Sequence, residues 1–270
     1  MKGVIYPMSV NDELGIRMKT YYEEIPRIKL MRRTPVIIRI DGKAFHTFTR
    51  GFEKPFDKIM VKTMQETTKY LCENIQGCVF GYTQSDEITL VLVDYKKLNS
   101  SAWFDYEVQK MCSIAASMAT MAFNKYFLQN SFDYTIRANI ETGDKQYPYQ
   151  DAYKHAIEKG AMFDARVFNI PKEEVTNCVY WRQLDATRNS IQSVGQANFS
   201  HKELQNKTCN RIQDMLHEQK GINWNDYPTY LRRGTAVKKN ESGSWYIDLD
   251  MPQLKGEGRR YLDELIMVGE

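Results

Sequence analysis

The chain is poor in the features that usually fix a protein's class at sight. Cysteine is scarce: 5 in 270 residues, at Cys72, Cys78, Cys112, Cys178 and Cys209. The number is odd and no two form a CxxC pair, so zinc-ligand spacing is absent and no disulfide framework is expected. We read them as reduced, mostly buried thiols of a cytoplasmic protein. No run of about 18 apolar residues exists, which excludes a helical membrane span. The first residues, MKGVIYPMSVNDELGIRMK, have no long apolar stretch, so no signal peptide is expected. Repeats and low-complexity tracts are also absent. Net charge is slight, 37 Lys+Arg against 34 Asp+Glu, or +3. Taken alone, that argues against a polyanionic partner. What is present in quantity is core material. Hydrophobic residues make 42% and aromatics 12%. This excludes disorder as the main state and allows one large domain or two smaller ones.

The small net charge hides segregation. Residues 1–54 carry a net +5 and residues 202–239 a net +4, while 55–201 carry −2 and 240–270 carry −4. Two basic blocks flank an acidic middle. Such blocks are either solvated surface or a split footprint for a polyanion, assembled only by folding.

Hydrophobic spacing predicts an amphipathic helix over 18–33, interrupted at Pro26. A strand follows at 35–41, PVIIRID, then a loop punctuated by Gly42, Gly51 and Pro55. Met60, Met64, Thr67, Leu71 and Ile75 recur at helical spacing and predict a helix over 57–75. Residues 78–94 read as two strands around the polar turn TQSDE. A second helix is expected over 103–127, an insertion over 129–164, and a strand over 165–171. The order β-α-β-β-α-β is the ferredoxin-like arrangement of polymerase palms and nucleotide cyclases. The expected fold class is therefore α+β: an antiparallel palm-like sheet with helices on one face, over 18–171. Residues 1–17 form an N-terminal extension. Residues 172–270 form a helical C-terminal region with a short hairpin, GSWYIDLD.

In that topology the first and third strands are antiparallel neighbours. Asp41 ends the first, and Asp86 and Glu87 start the third. Asp41 and Asp86 are thus expected about one strand spacing apart, roughly 5 Å. Two carboxylates that close repel unless a proton or cation separates them. Mg²⁺ prefers such oxygen ligands together with substrate phosphates, and two-metal phosphoryl transfer uses this layout. The loop Gly42–Lys43–Ala44–Phe45–His46 follows the first carboxylate. Its glycine lets backbone approach an anion, and Lys43 and Lys54 can neutralise a triphosphate. His46 is either a packed side chain or a nucleotide neighbour.

The segments RIDGKAFHTFT at 39–49, FEKPFD at 52–57 and GYTQSDEITLVL at 81–92 resemble the signature of tRNA(His) guanylyltransferases and their bacterial and archaeal like-proteins, the 3′–5′ polymerases. The resemblance extends through WRQLDATRN at 181–189 to GTAVKK at 234–239. It implies a nucleotidyltransferase that adds nucleotides to a tRNA 5′ end. ATP or GTP first activates a 5′-monophosphate, and the 3′-hydroxyl of an incoming nucleotide then attacks the activated end. It implies two Mg²⁺ ions held by Asp41, Asp86 and the carbonyl of Gly42. It implies a triphosphate along Asp41, Gly42, Lys43, Ala44, Phe45 and His46 and at Ser85 and Asp86, with Asn189 retained from a further motif. It also implies Glu87 as important for activity, Lys54 at the activation step, and a homotetramer.

One stretch departs from the eukaryotic pattern. Where those enzymes read HINNLYN, this chain reads TRNSIQS, Thr187 to Ser193, and only Asn189 keeps its place. That departure favours the like-protein branch, which repairs 5′-truncated tRNAs by templated addition. For tRNA phosphates the candidates are Arg27, Lys29, Arg32, Arg33, Lys207, Arg211, Arg232, Arg233, Lys238 and Lys239. Trp224, Tyr227 and Tyr230 can either stack on a base or pack in the core. The competing reading on the same topology is a nucleotide cyclase, which needs no RNA surface, but no GGDEF-type turn is present. A non-catalytic tRNA-binding protein would have no need of the intact Asp41 and Asp86.

Overall fold

The computed structural model describes residues 10–142 and 149–268. In chain order the elements are α1 (Val10–Met18), β1 (Val36–Gly42), α2 (Phe45–Phe48), α3 (Lys58–Asn74), β2 (Cys78–Gln84), β3 (Glu87–Leu92), α4 (Val108–Thr142), α5 (Gln150–Lys159) and β4 (Phe163–Asn169). There follow α6 (Lys172–Asn198), α7 (His201–Leu204), α8 (Cys209–Lys220), α9 (Thr229–Arg233), β5 (Thr235–Lys239), β6 (Trp245–Asp248) and α10 (Arg260–Ile266). All six strands form one antiparallel sheet in the order β4-β1-β3-β2-β5-β6. Its first four strands have the ferredoxin-like order expected from the sequence.

Strand alternation divides the core into two layers. On one face Val36, Ile38 and Ile40 of β1 pack with Met64 and Leu71 of α3 and Met111, Phe123 and Phe127 of α4. On the other, Ile37 packs with Val175 and Val179 of α6 and Leu262 and Ile266 of α10. The palm helices therefore share one face, and the C-terminal region supplies cover for the second. Period two places Arg39 and Asp41 on this second face, with Ile37. Burying about 150–250 Å² per aromatic makes the Phe cluster a large contributor to the first layer. Phe45, Phe48, Phe52, Phe123 and Phe127 are each at most 6% exposed.

Several boundaries differ from expectation for identifiable reasons. Of the helix expected over 18–33 only the part before Pro26 is helical. α1 ends at Met18, a π-helical turn covers Lys19–Glu23, and the chain beyond Pro26 runs extended. Two backbone bonds hold it there, Leu30 N–H to Tyr106 O at 3.0 Å and Val108 N–H to Ile28 O at 2.9 Å. Proline biases its predecessor away from helix, and those bonds complete the switch. Its apolar side chains face outward, with Tyr22 66%, Ile25 74% and Ile28 66% exposed. The helix expected over 103–127 starts at Val108 and runs on to Thr142. Part of the expected insertion is therefore helix, and α5 returns Tyr153 and Ala156 to the core. The segment GSWYIDLD is not itself a hairpin. Trp245–Asp248 is one strand, paired with β5, and the turn lies before it. The N-terminal extension is described only from residue 10.

Candidate active site

The site forms where β1 and β2 end. A cleft of about 590 Å³ opens there, walled by the loop after β1, the start of α3, the β2–β3 turn, α6 and α9. Gly42, Ala44, Phe45, His46, Lys54, Ser85, Asp86 and Asn189 all line it. Asp41, Lys43 and Glu87 do not form part of its wall.

The loop after β1 is shaped by one close contact. A Cβ on Gly42 would stand 2.2 Å from the Phe45 ring. That ring is itself enclosed by Phe48 at 5.0 Å, Phe163 at 5.1 Å and Phe123 at 5.4 Å between centroids. Ala44 then takes a left-handed conformation, φ 54°, and starts α2. The N–H groups of Gly42 and Lys43 already donate to Asp86 O (3.1 Å) and Met162 O (2.8 Å). A backbone cradle for an anion therefore falls to the amides of Ala44, Phe45 and His46, at the first turn of α2. Gly42→Ala should displace Phe45, destabilise the fold by about 1–3 kcal/mol and raise the nucleotide KM. Thermal melts and initial rates check this, and an unchanged Tm would argue against the packing account.

The second wall is the FEKPFD turn. Asp57 is only 6% exposed and caps α3, accepting from Met60 N–H at 2.8 Å. It also accepts from Glu53 N–H at 3.1 Å and from Tyr153 Oη–H at 2.7 Å. One buried carboxylate thus fixes the turn that carries Lys54. The third wall is one stripe of α6, in which Ala186, Asn189, Ser190 and Ser193 follow the i, i+3, i+4, i+7 spacing of a single helix face.

The acidic residues stand differently from the simple side-by-side expectation. Asp41 is in register with Glu87, and Asp86 occupies the turn beside Gly42. Ser85 sits at φ 51° and its hydroxyl donates to Asp86 Oδ1 at 2.9 Å. Burial pushes the Asp86 carboxyl above its ordinary range, the Ser85 bond partly offsets this, and the charges of Asp41 and Glu87 add to the rise. Asp41 and Asp86 are therefore close enough to repel, which is the condition a cation relieves. Among the described residues no group of three or more His, Cys, Asp and Glu is arranged to hold a metal ion. The donor set that exists is a pair of mutually repelling carboxylates, of which Asp86 lines the cleft and Asp41 stands behind its wall. It suits Mg²⁺, which takes one or two carboxylates and completes its shell with water and phosphate oxygens.

Glu87 is engaged elsewhere. Its Oε2 takes Arg182 Nη2 at 2.7 Å and Arg39 Nη2 at 3.4 Å. Sequence reading assigned no role to either arginine, and it missed Gln65, Leu231 and Gly234 of the cleft, while Tyr230 was named only as a base-stacking or packing residue. The α6 stripe was legible in principle from its spacing. Of the α9 wall only Tyr230 was singled out, because α9 is a five-residue helix too short to show a periodic stripe.

Much of the N-terminal basic block is paired within the chain. Arg27 binds Glu107 at 2.7 Å, Arg32 binds Asp94 at 2.6 Å, and Lys29 binds Asp105. Arg211 lies 3.6 Å from Glu218. Arg232 donates to Tyr227 O at 2.6 Å, and Lys238 lies over the Tyr261 ring at 3.7 Å. Trp224 is a core residue, 8% exposed, with its indole N–H on Ser190 Oγ at 3.0 Å. Tyr227 packs edge-on to Phe56, whereas Tyr230 lines the cleft.

The family model described as tRNA(His) guanylyltransferase matches residues 16–171, which include both carboxylates, the Gly42–His46 loop and Lys54. The chain belongs to this family. It is accordingly a nucleotidyltransferase. It is 26% identical over 221 residues to the tRNA(His) guanylyltransferase of Debaryomyces hansenii, covering 77% of this chain and 74% of that protein. It is 29% identical over 241 residues to an uncharacterized protein of Acanthamoeba polyphaga mimivirus, covering 85% and 78%. Among solved structures it resembles a bacterial tRNA(His) guanylyltransferase-like protein in complex with ATP. There the identity is 40% and the TM-score 0.79, over 94% of this chain and all (100%) of that one. A second such structure, in complex with GTP, gives 35% identity and a TM-score of 0.71, over 95% and 100%. No helix among the described residues is long and apolar enough to cross a membrane.

Proposed function

We propose that this family member adds nucleotides in the 3′–5′ direction to the 5′ end of tRNA, with the opposite strand as template. The observation that carries the reading is the meeting of Gly42, Ala44, Phe45, His46, Lys54, Ser85, Asp86 and Asn189 in one cleft of about 590 Å³. That size lies within the range of small-molecule sites. End-to-end likeness to proteins solved with ATP and with GTP supports a nucleoside triphosphate as occupant.

In this reading residues 18–171 are the catalytic core, residues 172–270 close the cleft, and residues 1–17 are an extension. Asp41, Gly42 and Asp86 would hold two Mg²⁺ ions. When bound, Mg²⁺ supplies neutralisation of phosphate charge and lowers the pKa of an attacking hydroxyl. The chain's own groups do the rest. Ala44, Phe45 and His46 present amides to the triphosphate, and Ser85 orients Asp86. Lys43 and Asn189 complete the nucleotide contacts. Lys54, held on the Asp57-braced turn, lies beside the 5′ phosphate during activation by ATP or GTP. Glu87 supports activity from the sheet. The Thr187–Ser193 segment favours repair of 5′-truncated tRNAs over strict tRNA(His) selection. Assembly as a homotetramer is also part of the reading. Its support is the exposed apolar run Tyr21, Tyr22, Ile25, Ile28 and Met31, a surface of the kind that usually meets a partner.

The test is incubation with Mg²⁺, labelled GTP and two tRNAs: tRNA(His), and a non-His tRNA lacking its first 5′ nucleotide. Extension of the truncated tRNA by the templated nucleotide is expected. No extension of either tRNA, with cyclic product from nucleotide alone, would replace this reading by a cyclase.

A further inference from the structure

We infer that Arg182 is a positioning residue of the transfer reaction, clamping the Glu87 carboxylate opposite Asp41. The inference rests on the nucleotidyl-transfer reading above and goes beyond it to a residue outside the cleft wall.

Arg182 lies on α6 and is 4% exposed. Its Nη2 binds Glu87 Oε2 at 2.7 Å and Asp185 Oδ2 at 2.6 Å. Arg39, on β1, reaches the same Glu87 oxygen at 3.4 Å. Asp185 is held in turn by Arg188 through its other oxygen. The result is an alternating series, Arg188–Asp185–Arg182–Glu87–Arg39, that crosses from the helix to the sheet. It ends at the strand pair where Asp41 faces Glu87. Both guanidinium bonds to Glu87 converge on Oε2, which fixes the rotation of that carboxylate. The Trp181 ring lies 4.5 Å from the Arg182 guanidinium and 5.2 Å from that of Arg39, bracing both.

A buried arginine is a poor way to gain stability, because desolvation offsets most of the attraction. This one also keeps its Nε without a partner, and so does the Gln84 Nε2. Gln84 is the register partner of Glu87 on β2. Unpaired buried donors are rare, and both flank one carboxylate. The arrangement fits a demand on where Glu87 points better than a demand for stability. With Arg182 gone, Glu87 would keep only the longer contact to Arg39, directly across from Asp41 and one residue from Asp86. It would then swing and disturb both.

The test uses the full chain and the variants Arg182→Gln, Arg182→Lys, Glu87→Gln and the double variant Arg182→Gln/Glu87→Gln. Measured quantities are the rate of transfer onto a 5′-truncated tRNA, KM for that tRNA, Kd for GTP by displacement of a fluorescent analogue, and Tm. Arg182→Gln should lower kcat roughly 10–100-fold, the size usual for residues that orient a site's ligands. Kd for GTP and KM for tRNA should stay within about threefold. Lysine supplies the charge without the planar guanidinium that lies against the Trp181 ring, so Arg182→Lys should recover only part of the rate. The double variant should be no slower than Glu87→Gln alone, since the arginine then has nothing to position. Losses that multiply in the double variant would overturn the inference. So would unchanged kcat in Arg182→Gln, or a fall in GTP affinity matching the fall in kcat. If Arg182→Gln does not fold, Arg182→Lys with and without Glu87→Gln makes the same comparison. A wild-type protein that fails to extend tRNA overturns the transfer reading itself, whereas normal extension with indifferent Arg182 variants overturns this inference alone.

Discussion

Asp86→Asn should yield a protein that is inactive and harder to melt. The carboxyl of Asp86 is raised above its ordinary value of 3.8, chiefly by burial, and Asp41 and Glu87 reinforce the shift. For an acid, a raised folded pKa means that folding disfavours the ionised form. The penalty is absent below the unfolded pKa, grows as pH climbs towards the folded one, and is complete at neutral pH. Asparagine keeps the size and the Ser85 hydroxyl partner without the charge, so Tm at pH 7 should rise. At pH well below 3.8 variant and wild type should melt alike. Mg²⁺ should raise the Tm of the wild type, by mass action on the folded state, and leave that of Asp86→Asn nearly unchanged. Transfer should fall by about 10³-fold or more, the loss expected when several kcal/mol of charge stabilisation disappear. Binding of tRNA, measured separately, should persist if it draws, as proposed, on basic residues away from the turn. A variant that transfers at near-normal rate would remove Asp86 from the site. One that melts lower than wild type at pH 7 would refute the electrostatic account of the acidic pair.

The contrast between Asp41, Asp86 and Glu87 marks how far the sequence could be read. Their approach followed from the order of elements, since antiparallel neighbours must bring the end of β1 to the start of β3. Which acid faces which did not follow. It depends on the β1–β3 register, which pairs Asp41 with Glu87 and leaves Asp86 in the two-residue turn beside Gly42, where Ser85 takes a left-handed conformation. The α3 stripe was legible because local periodicity and burial agree. The 18–33 segment was misread beyond Pro26 for the opposite reason. Its pattern is helical, but backbone bonds to residues near position 107 override it, and long-range bonds leave no local trace. Charge shows the same limit. The N-terminal block is basic in sequence, yet Arg27, Lys29 and Arg32 meet acids drawn from residues 94–107. Arg182 drew no separate reading, because its partner Glu87 lies far away in sequence.

Asp57 carries the second large expected effect, on stability first and activity through it. Asp57→Ala removes a helix cap, for which about 1 kcal/mol is typical. It also leaves the Glu53 N–H and the Tyr153 hydroxyl without their acceptor, and Tyr153 is 3% exposed. Each buried donor left unmet costs about 1–3 kcal/mol. Together these place the loss at about 3–7 kcal/mol, a fall in Tm of roughly 6–14 °C at about 2 °C per kcal/mol for a chain this long. Asp57→Asn keeps the Oδ1 cap but sets an NH2 where Oδ2 accepted from Glu53 N–H and Tyr153 Oη–H, so it should spare only the capping part, about 1 kcal/mol. Activity should track the turn rather than the carboxylate's charge. With the brace gone Lys54 is no longer held against the cleft, and 5′ activation should slow more than transfer to a tRNA that already bears a 5′-triphosphate. Denaturant melts of the two variants, beside rates on 5′-monophosphate and 5′-triphosphate tRNAs, separate these effects. Equal slowing on both RNAs would mean that Asp57 shapes the nucleotide site as a whole, and that Lys54 has no special part in activation.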